Sequence, residues 1–190
     1  MRTSRLIMVF AVAVAAFAGC RNTPIAKTAA QPVISVAVRP TMIRVISQRS
    51  GTDITPGIDI FADGRCAVRT FRGEEITKRL RVGEVDSLLV FFEREGLFSV
   101  SDATIERAID RELEPVRTEL PGGGFRVSMR GRVLVTDSNH TRIVAQKDSK
   151  SVAISRYALN SELEHYRTVT ELRTVQRCVD RVYEVAGKIW

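Results

Sequence analysis

The chain is poor in the residues on which metal and thiol chemistry draw. It has 2 histidines and 3 cysteines in 190 residues. It has neither C-x-x-C nor H-E-x-x-H, so a cysteine-rich zinc site, a thiol redox centre and a two-histidine helical metal site are all unsupported. His140 follows Ser138-Asn139 and His165 closes Glu162-Leu163-Glu164; both suit structural or surface roles. G-x-S-x-G and S-x-x-K are also missing, which removes the common serine-nucleophile signatures. Gly122-Gly123-Gly124 precedes a strand pattern and lacks a following Lys-Thr, so it reads as a loop and not as a phosphate cradle. Aromatics amount to 8 Phe, 3 Tyr and 1 Trp, without interleaved basic residues, and nucleic acid is not an expected partner. Asp59, Asp63, Asp86, Asp137 and Asp148 all suit turns or solvent faces. A hydrolase with a carboxylate site that spacing does not reveal remains an alternative. No cofactor is expected.

Long apolar runs are absent too, with one exception. Leu6 to Ala18 is uncharged and apolar, follows Arg2 and Arg5, and ends in Phe17-Ala18-Gly19-Cys20. A short positive region, an apolar stretch too short to span a bilayer comfortably, and small residues at its end form an export signal. This stretch resembles a bacterial lipoprotein signal peptide, with Phe17 where that family usually has Leu, Val or Ile. The resemblance implies cleavage before Cys20 and fatty acyl chains on that residue. It also implies a membrane partner through the anchor at Cys20. One acyl chain holds marginally and two or more hold firmly, at roughly 0.8 kcal/mol per buried methylene. Arg21 stands where aspartate marks inner-membrane retention in well-studied Gram-negative bacteria. The outer membrane is therefore favoured over the inner, with the domain facing the periplasm.

Loss of residues 1–19 leaves 171 of the 190 residues and lowers the formal charge from +7 to +5, as Arg2 and Arg5 go. Residues 20–40 contain Pro24, Pro32 and Pro40 among small residues and read as a lipidated N-terminus and flexible tether. Val33 to Val38 has the composition of an extra edge strand. Residues 41–190 are then a single domain, long enough to bury roughly 68–70% of its unfolded surface.

The domain reads as α+β: an antiparallel sheet of about six or seven strands with two main helices packed on one face. Thr41–Gln48 is rich in β-formers. Gly57–Ala62 and Arg65–Arg72 flank Asp63-Gly64, the strongest hairpin signal in the chain. Lys78–Val82 suits a short strand. In Glu84–Glu95 the period changes, with Val85, Leu88, Leu89 and Phe92 on one helical face and Gly96 as the stop. Asp102–Leu113 repeats that pattern with Asp102 as cap, and residues 102–124 read as a helical insertion plus Gly-rich loop. Phe125–Arg130, Arg132–Thr136, His140–Gln146 and Ser151–Tyr157 are further strands, the last two joined around Asp148-Ser149-Lys150. Thr168–Lys188 is a long amphipathic helix opened by Thr168-x-x-Glu171. Both halves place a helix about twenty residues after a hairpin return, either by duplication or by chance recurrence of a common unit.

Two residue groups carry functional expectations. Cys66 on a strand and Cys178 on the last helix both point inward, either as a disulfide or as two separate buried thiols. Arg65 and Arg69 share one strand face, as do Arg126 and Arg130, and Lys78, Arg79, Arg81, Arg132, Arg142, Lys147 and Arg156 add to the positive charge. On an open sheet face they form an anionic-ligand patch; the alternative is a solvated surface matched by the acidic helix. The order of strands, hairpin and the helix ending Glu95-Gly96-Leu97-Phe98 resembles small emfourin-type metalloprotease inhibitors, with Ser50-Gly51-Thr52 where those proteins carry Gly-Gly. That resemblance implies a protease inhibitor, and no inhibitory residue carries over. The leading expectation is a non-catalytic, membrane-anchored envelope lipoprotein whose domain binds an envelope protein or an anionic envelope component.

Overall fold

The computed structural model describes residues 31–39, 55–121, 123–128, 131–132 and 138–187. In chain order the elements are β1 (Ile34–Arg39), β2 (Gly57–Ile60), β3 (Arg65–Arg69), β4 (Glu75–Arg79), α1 (Glu84–Arg94), a 3-10 turn (Leu97–Ser99), α2 (Asp102–Glu112), β5 (Val116–Glu119), β6 (Phe125–Ser128), β7 (His140–Lys147), β8 (Lys150–Tyr157), α3 (Leu159–His165) and α4 (Thr170–Ala186). Six strands form one antiparallel sheet in the order β4-β3-β2-β1-β7-β8, and β5-β6 form a separate two-stranded sheet. The α+β architecture follows directly from the two periodicities in the sequence.

Side-chain alternation sorts the large sheet into two faces. Ile34 and Val36 on β1 lie opposite Ile60 and Ile58 on β2, and opposite Ala145 and Ile143 on β7. Cys66, Val68, Val152 and Ile154 continue that face outward. These residues join Leu88 and Phe92 of α1, Ile105 and Ile109 of α2, and Leu172, Val175, Val179 and Val182 of α4 in one buried cluster. The apolar stripe of each helix is the part that enters this core.

Several expectations change in detail. β1 is a central strand between β2 and β7, not an edge addition to a tether, which moves the start of the folded body to Ile34. Its alternation of Ile34, Val36 and Val38 with Ser35 and Ala37 is the reason: one face fills the core, while the small residues keep the other low. The fourth strand is Glu75–Arg79, earlier than Lys78–Val82, because a tight turn with Thr70 N–H bonded to Glu74 O at 2.9 Å sets its register. α2 contributes Ile105, Ala108 and Ile109 to the common core, so it is no separate insertion. Its cap is Ser101 and not Asp102: the Ser101 hydroxyl accepts from Thr104 N–H at 3.1 Å, and Thr104 Oγ1 accepts from Ser101 N–H at 2.8 Å. α4 begins at Thr170, after Val169, and no side chain caps it. α3 was not expected. The strand expected at Thr41–Gln48 lies outside the described residues, as do Cys20 and all but Arg132 of the strand expected at Arg132–Thr136.

Candidate functional site

The face of the sheet opposite the core is lined by small residues between cations. One row across five strands reads Arg69, Gly57, Ala37, Arg142, Ser155, each opposite the next. The floor is low where Gly57 and Ala37 lie side by side. At Gly57 the backbones are too close for more, since a Cβ there would meet Val36 O at 2.8 Å. A shallow cavity of about 570 Å³ opens on this face, lined by Ala37, Thr55, His140, Arg142, Ala153 and Ser155. Arg142 stands in it with no carboxylate partner among the described residues. His140 Nε2 lies 3.2 Å from Ser155 Oγ at its rim.

The other arginines of the expected patch are placed differently. Arg65 and Arg69 do share this face. However, Arg69 Nη1 donates to Asp59 Oδ2 at 2.7 Å, and the Arg65 guanidinium lies 3.7 Å over the Phe61 ring. Arg126 belongs to the separate β5-β6 sheet, opposite Thr118. Arg130 lies outside the described residues. Arg65 and Arg69 therefore lie on the six-stranded sheet and Arg126 on the two-stranded one. Most of the remaining cations are matched as well. Lys147 and Lys150 both bond Glu93 on α1, Lys78 Nζ donates to Val185 O at 3.4 Å, and Arg132 bonds Glu106 and Asp110 on α2. Hydrogen bonds from Lys147 and then Lys150 hold the Glu93 carboxyl down at about 2.

Beside the open face, at the β8 edge, lies a buried ionic network. Arg156 is 8% exposed. Its Nε donates to Glu162 Oε2 at 3.0 Å and its Nη1 to Glu106 Oε1 at 2.6 Å, while Nη2 bonds the second Glu162 oxygen. Burial works against the charge on Arg156, but the hydrogen bonds to Glu162 and Glu106 outweigh it and raise its pKa. The Glu106 carboxyl is lowered, mainly by the hydrogen bond from Arg156. A general acid needs the opposite shift, so Glu106 is not arranged to deliver a proton. Nearby, Asp102 Oδ1 accepts from the Ser155 backbone N–H at 3.2 Å, which satisfies the sheet edge and does not orient His140. Among the described residues the His140–Ser155 contact shows no orienting carboxylate of a nucleophile–base pair.

Cys66 and Cys178 are free, buried thiols within the one core. Burial pushes Cys178 up to about 12 and raises Cys66 as well, which makes both poor nucleophiles at neutral pH. Among the described residues, no group of three His, Cys, Asp or Glu is placed to hold a metal ion, and no helix is long and apolar enough to cross a membrane. An open groove of about 800 Å³ runs between α1 and α4, past Val90, Phe91, Arg177 and Arg181. A smaller cavity of about 400 Å³ lies between Val38, Thr141, Leu159 and Tyr183.

Sequence reasoning missed the Arg156 network, whose partners lie 6 and 50 positions away in the chain. It had Arg142 only as one cation among many; the alternation of β7, which puts Arg142 opposite Ala37 and Ser155, is the signal that singles it out. Comparisons with protein-family models, with curated proteins and with solved structures find no match to this chain.

Proposed function

We propose that this chain is an exported cell-envelope lipoprotein, held to the membrane through Cys20, that binds and does not catalyse. Its open sheet face receives an anionic group on Arg142. The observation that carries this reading is the Arg142 guanidinium, without a carboxylate partner among the described residues, in a cavity beside Ala37, with His140 and Ser155 as further hydrogen-bonding groups. An arginine paired with a carboxylate is already spent; one left over a concave, small-residue surface offers a planar fork of donors to a phosphate, sulfate or carboxylate. The Glu106 carboxyl, lowered mainly by its hydrogen bond from Arg156, weighs against the hydrolase alternative at this cluster, since a general acid needs the opposite shift.

Two measurements test the reading separately. Intact mass of the mature protein reads the acyl modification at Cys20, and Cys20→Ser is expected to move the protein from the membrane to the soluble fraction. Titration with inorganic phosphate and with a sulfated oligosaccharide, followed by backbone amide shifts, is expected to perturb Ala37, Arg142 and Ser155 first. Arg142→Ala should weaken that binding at least fivefold, and Arg65→Ala should leave it unchanged. Equal affinity in all three proteins would remove the site.

A further inference from the structure

Outside the core and the open face, one element has no packing explanation. Every residue of β5 and of β6 is exposed. A lone two-stranded hairpin is marginal in water and needs a surface to lean on. Exposed large hydrophobics are concentrated here: Val116 is 60% exposed, Leu120 43%, Phe125 49% and Val127 51%. Leu120 and Phe125 flank the closed end, and the sequence from Leu120 to Phe125 carries no charge. The backbone at that end is largely satisfied internally, with Leu120 N–H on Gly124 O at 3.1 Å and Gly123 N–H on Leu120 O at 3.2 Å. Behind it sit Arg117, whose guanidinium lies 3.5 Å over the Phe125 ring, and Arg126, opposite Thr118, with Glu119 opposite Phe125 as the one acid of the two strands.

An uncharged tip flanked by Leu120 and Phe125 and backed by arginines suits the headgroup–acyl boundary of a bilayer. Its arginines then meet lipid phosphates. We infer that the β5-β6 hairpin is a second membrane contact: Leu120 and Phe125 insert into the interface, and Arg117 and Arg126 sit at the phosphate level. The inference rests on the membrane-anchor reading for the bilayer's nearness. About fourteen residues separate Cys20 from the start of β1 at Ile34, a reach of up to roughly 50 Å when extended. A body of this length is roughly 40 Å across, which is within that extended reach.

The test uses the full chain with Trp190→Phe and Phe125→Trp, so that one tryptophan reports from the tip. The protein is attached to vesicles of mixed phosphatidylglycerol and phosphatidylcholine, once through its own Cys20 lipid and once through an amino-terminal histidine tag on nickel-chelating lipid. Blue-shifted emission is expected, with quenching by lipids brominated near the headgroup at least twice that of a Tyr157→Trp control on the open sheet face. Replacing phosphatidylglycerol by phosphatidylcholine alone, or Arg117 and Arg126 by Gln, should reduce the quenching. Water-like emission without quenching in the tag-anchored protein overturns the inference. So does a concentration-dependent dimer that Phe125→Asp dissolves, because the hairpin then packs on a second copy. Failure of the anchor reading shows elsewhere, as an unmodified Cys20 mass and loss of vesicle attachment without the tag.

Discussion

Replacing Arg156 by Met keeps the length and apolar stem of the side chain and removes only its charge and donors. In the native protein those donors make three hydrogen bonds to Glu106 and Glu162. Removing one partner of a buried ion pair costs about 3–5 kcal/mol, because the charge left behind has lost its water without compensation. The Glu162 side chain is 14% exposed and bears that penalty, whereas Glu106 is 40% exposed and keeps Arg132 at 3.0 Å. The lower end, about 3 kcal/mol, is therefore expected. With a urea dependence of about 2 kcal/mol per molar, the unfolding midpoint should fall by about 1.5 M at neutral pH, read by far-UV circular dichroism.

Two companion variants make the reasoning refutable. Arg156→Met combined with Glu162→Gln removes the orphaned charge and should recover about half of the loss. Arg132→Met breaks pairs whose members are all 40% exposed or more and should cost under about 1 kcal/mol. The pH dependence has a definite sign. The Glu106 carboxyl is lowered in the folded protein, so its share of stability is complete above the ordinary carboxylate range and disappears as pH falls through its folded value. Loss of stability below about pH 4.5 should be shallower in Arg156→Met than in the parent, since the partner responsible for the lowering is gone. A cost below about 1 kcal/mol for Arg156→Met, or no recovery in the double variant, would show that the network is not desolvated.

Glu93 should titrate at about 2 in side-chain carbonyl NMR at low salt. Its midpoint should move back towards 4.5 in Lys147→Ala and in high salt, since the pair is exposed and screened. Gly57→Ala pushes a Cβ against Val36 O at 2.8 Å, and should destabilise by about 1–3 kcal/mol in the same urea assay. Cys66 and Cys178 should resist iodoacetamide in the native protein and react together on unfolding. Because Cys178 and Tyr183 are each raised to about 12 by burial, stability should be complete below their ordinary values near 9 and 10 and fall as pH rises towards 12.

What was legible in the sequence was whatever repeats locally. The helices α1, α2 and α4 announce themselves through Val85-Leu88-Leu89-Phe92, Ile105-Ala108-Ile109 and the Leu172–Val182 stripe, because a helix buries one face at a fixed spacing. The hairpin at Asp63-Gly64 and the two-residue turn at Asp148-Ser149 were equally plain. β1 was obscured by the prolines before and after it, which carry a tether's composition up to the edge of a central strand. α3 has seven residues and buries only Leu159, too short a run for a period to form. The shared face of Arg65 and Arg69 followed from alternation; the separation of Arg126 onto another sheet did not, because strand partnership is a non-local choice.

The two edges of the large sheet are protected in different ways. An unpaired strand edge is a template for association, and proteins cover or charge it. At β8 the Asp102 carboxylate takes the Ser155 amide, and Arg156 ties the strand to α2 and α3 through Glu106 and Glu162. At β4 the exposed edge carries Glu75, Lys78 and Arg79. Neither edge invites another strand. The ionic network therefore has a use beyond its modest net stability: it fixes a lid on an edge that would otherwise pair. Among the described residues, the Arg142 side of the sheet, the groove between α1 and α4 and the β5-β6 arm stay open.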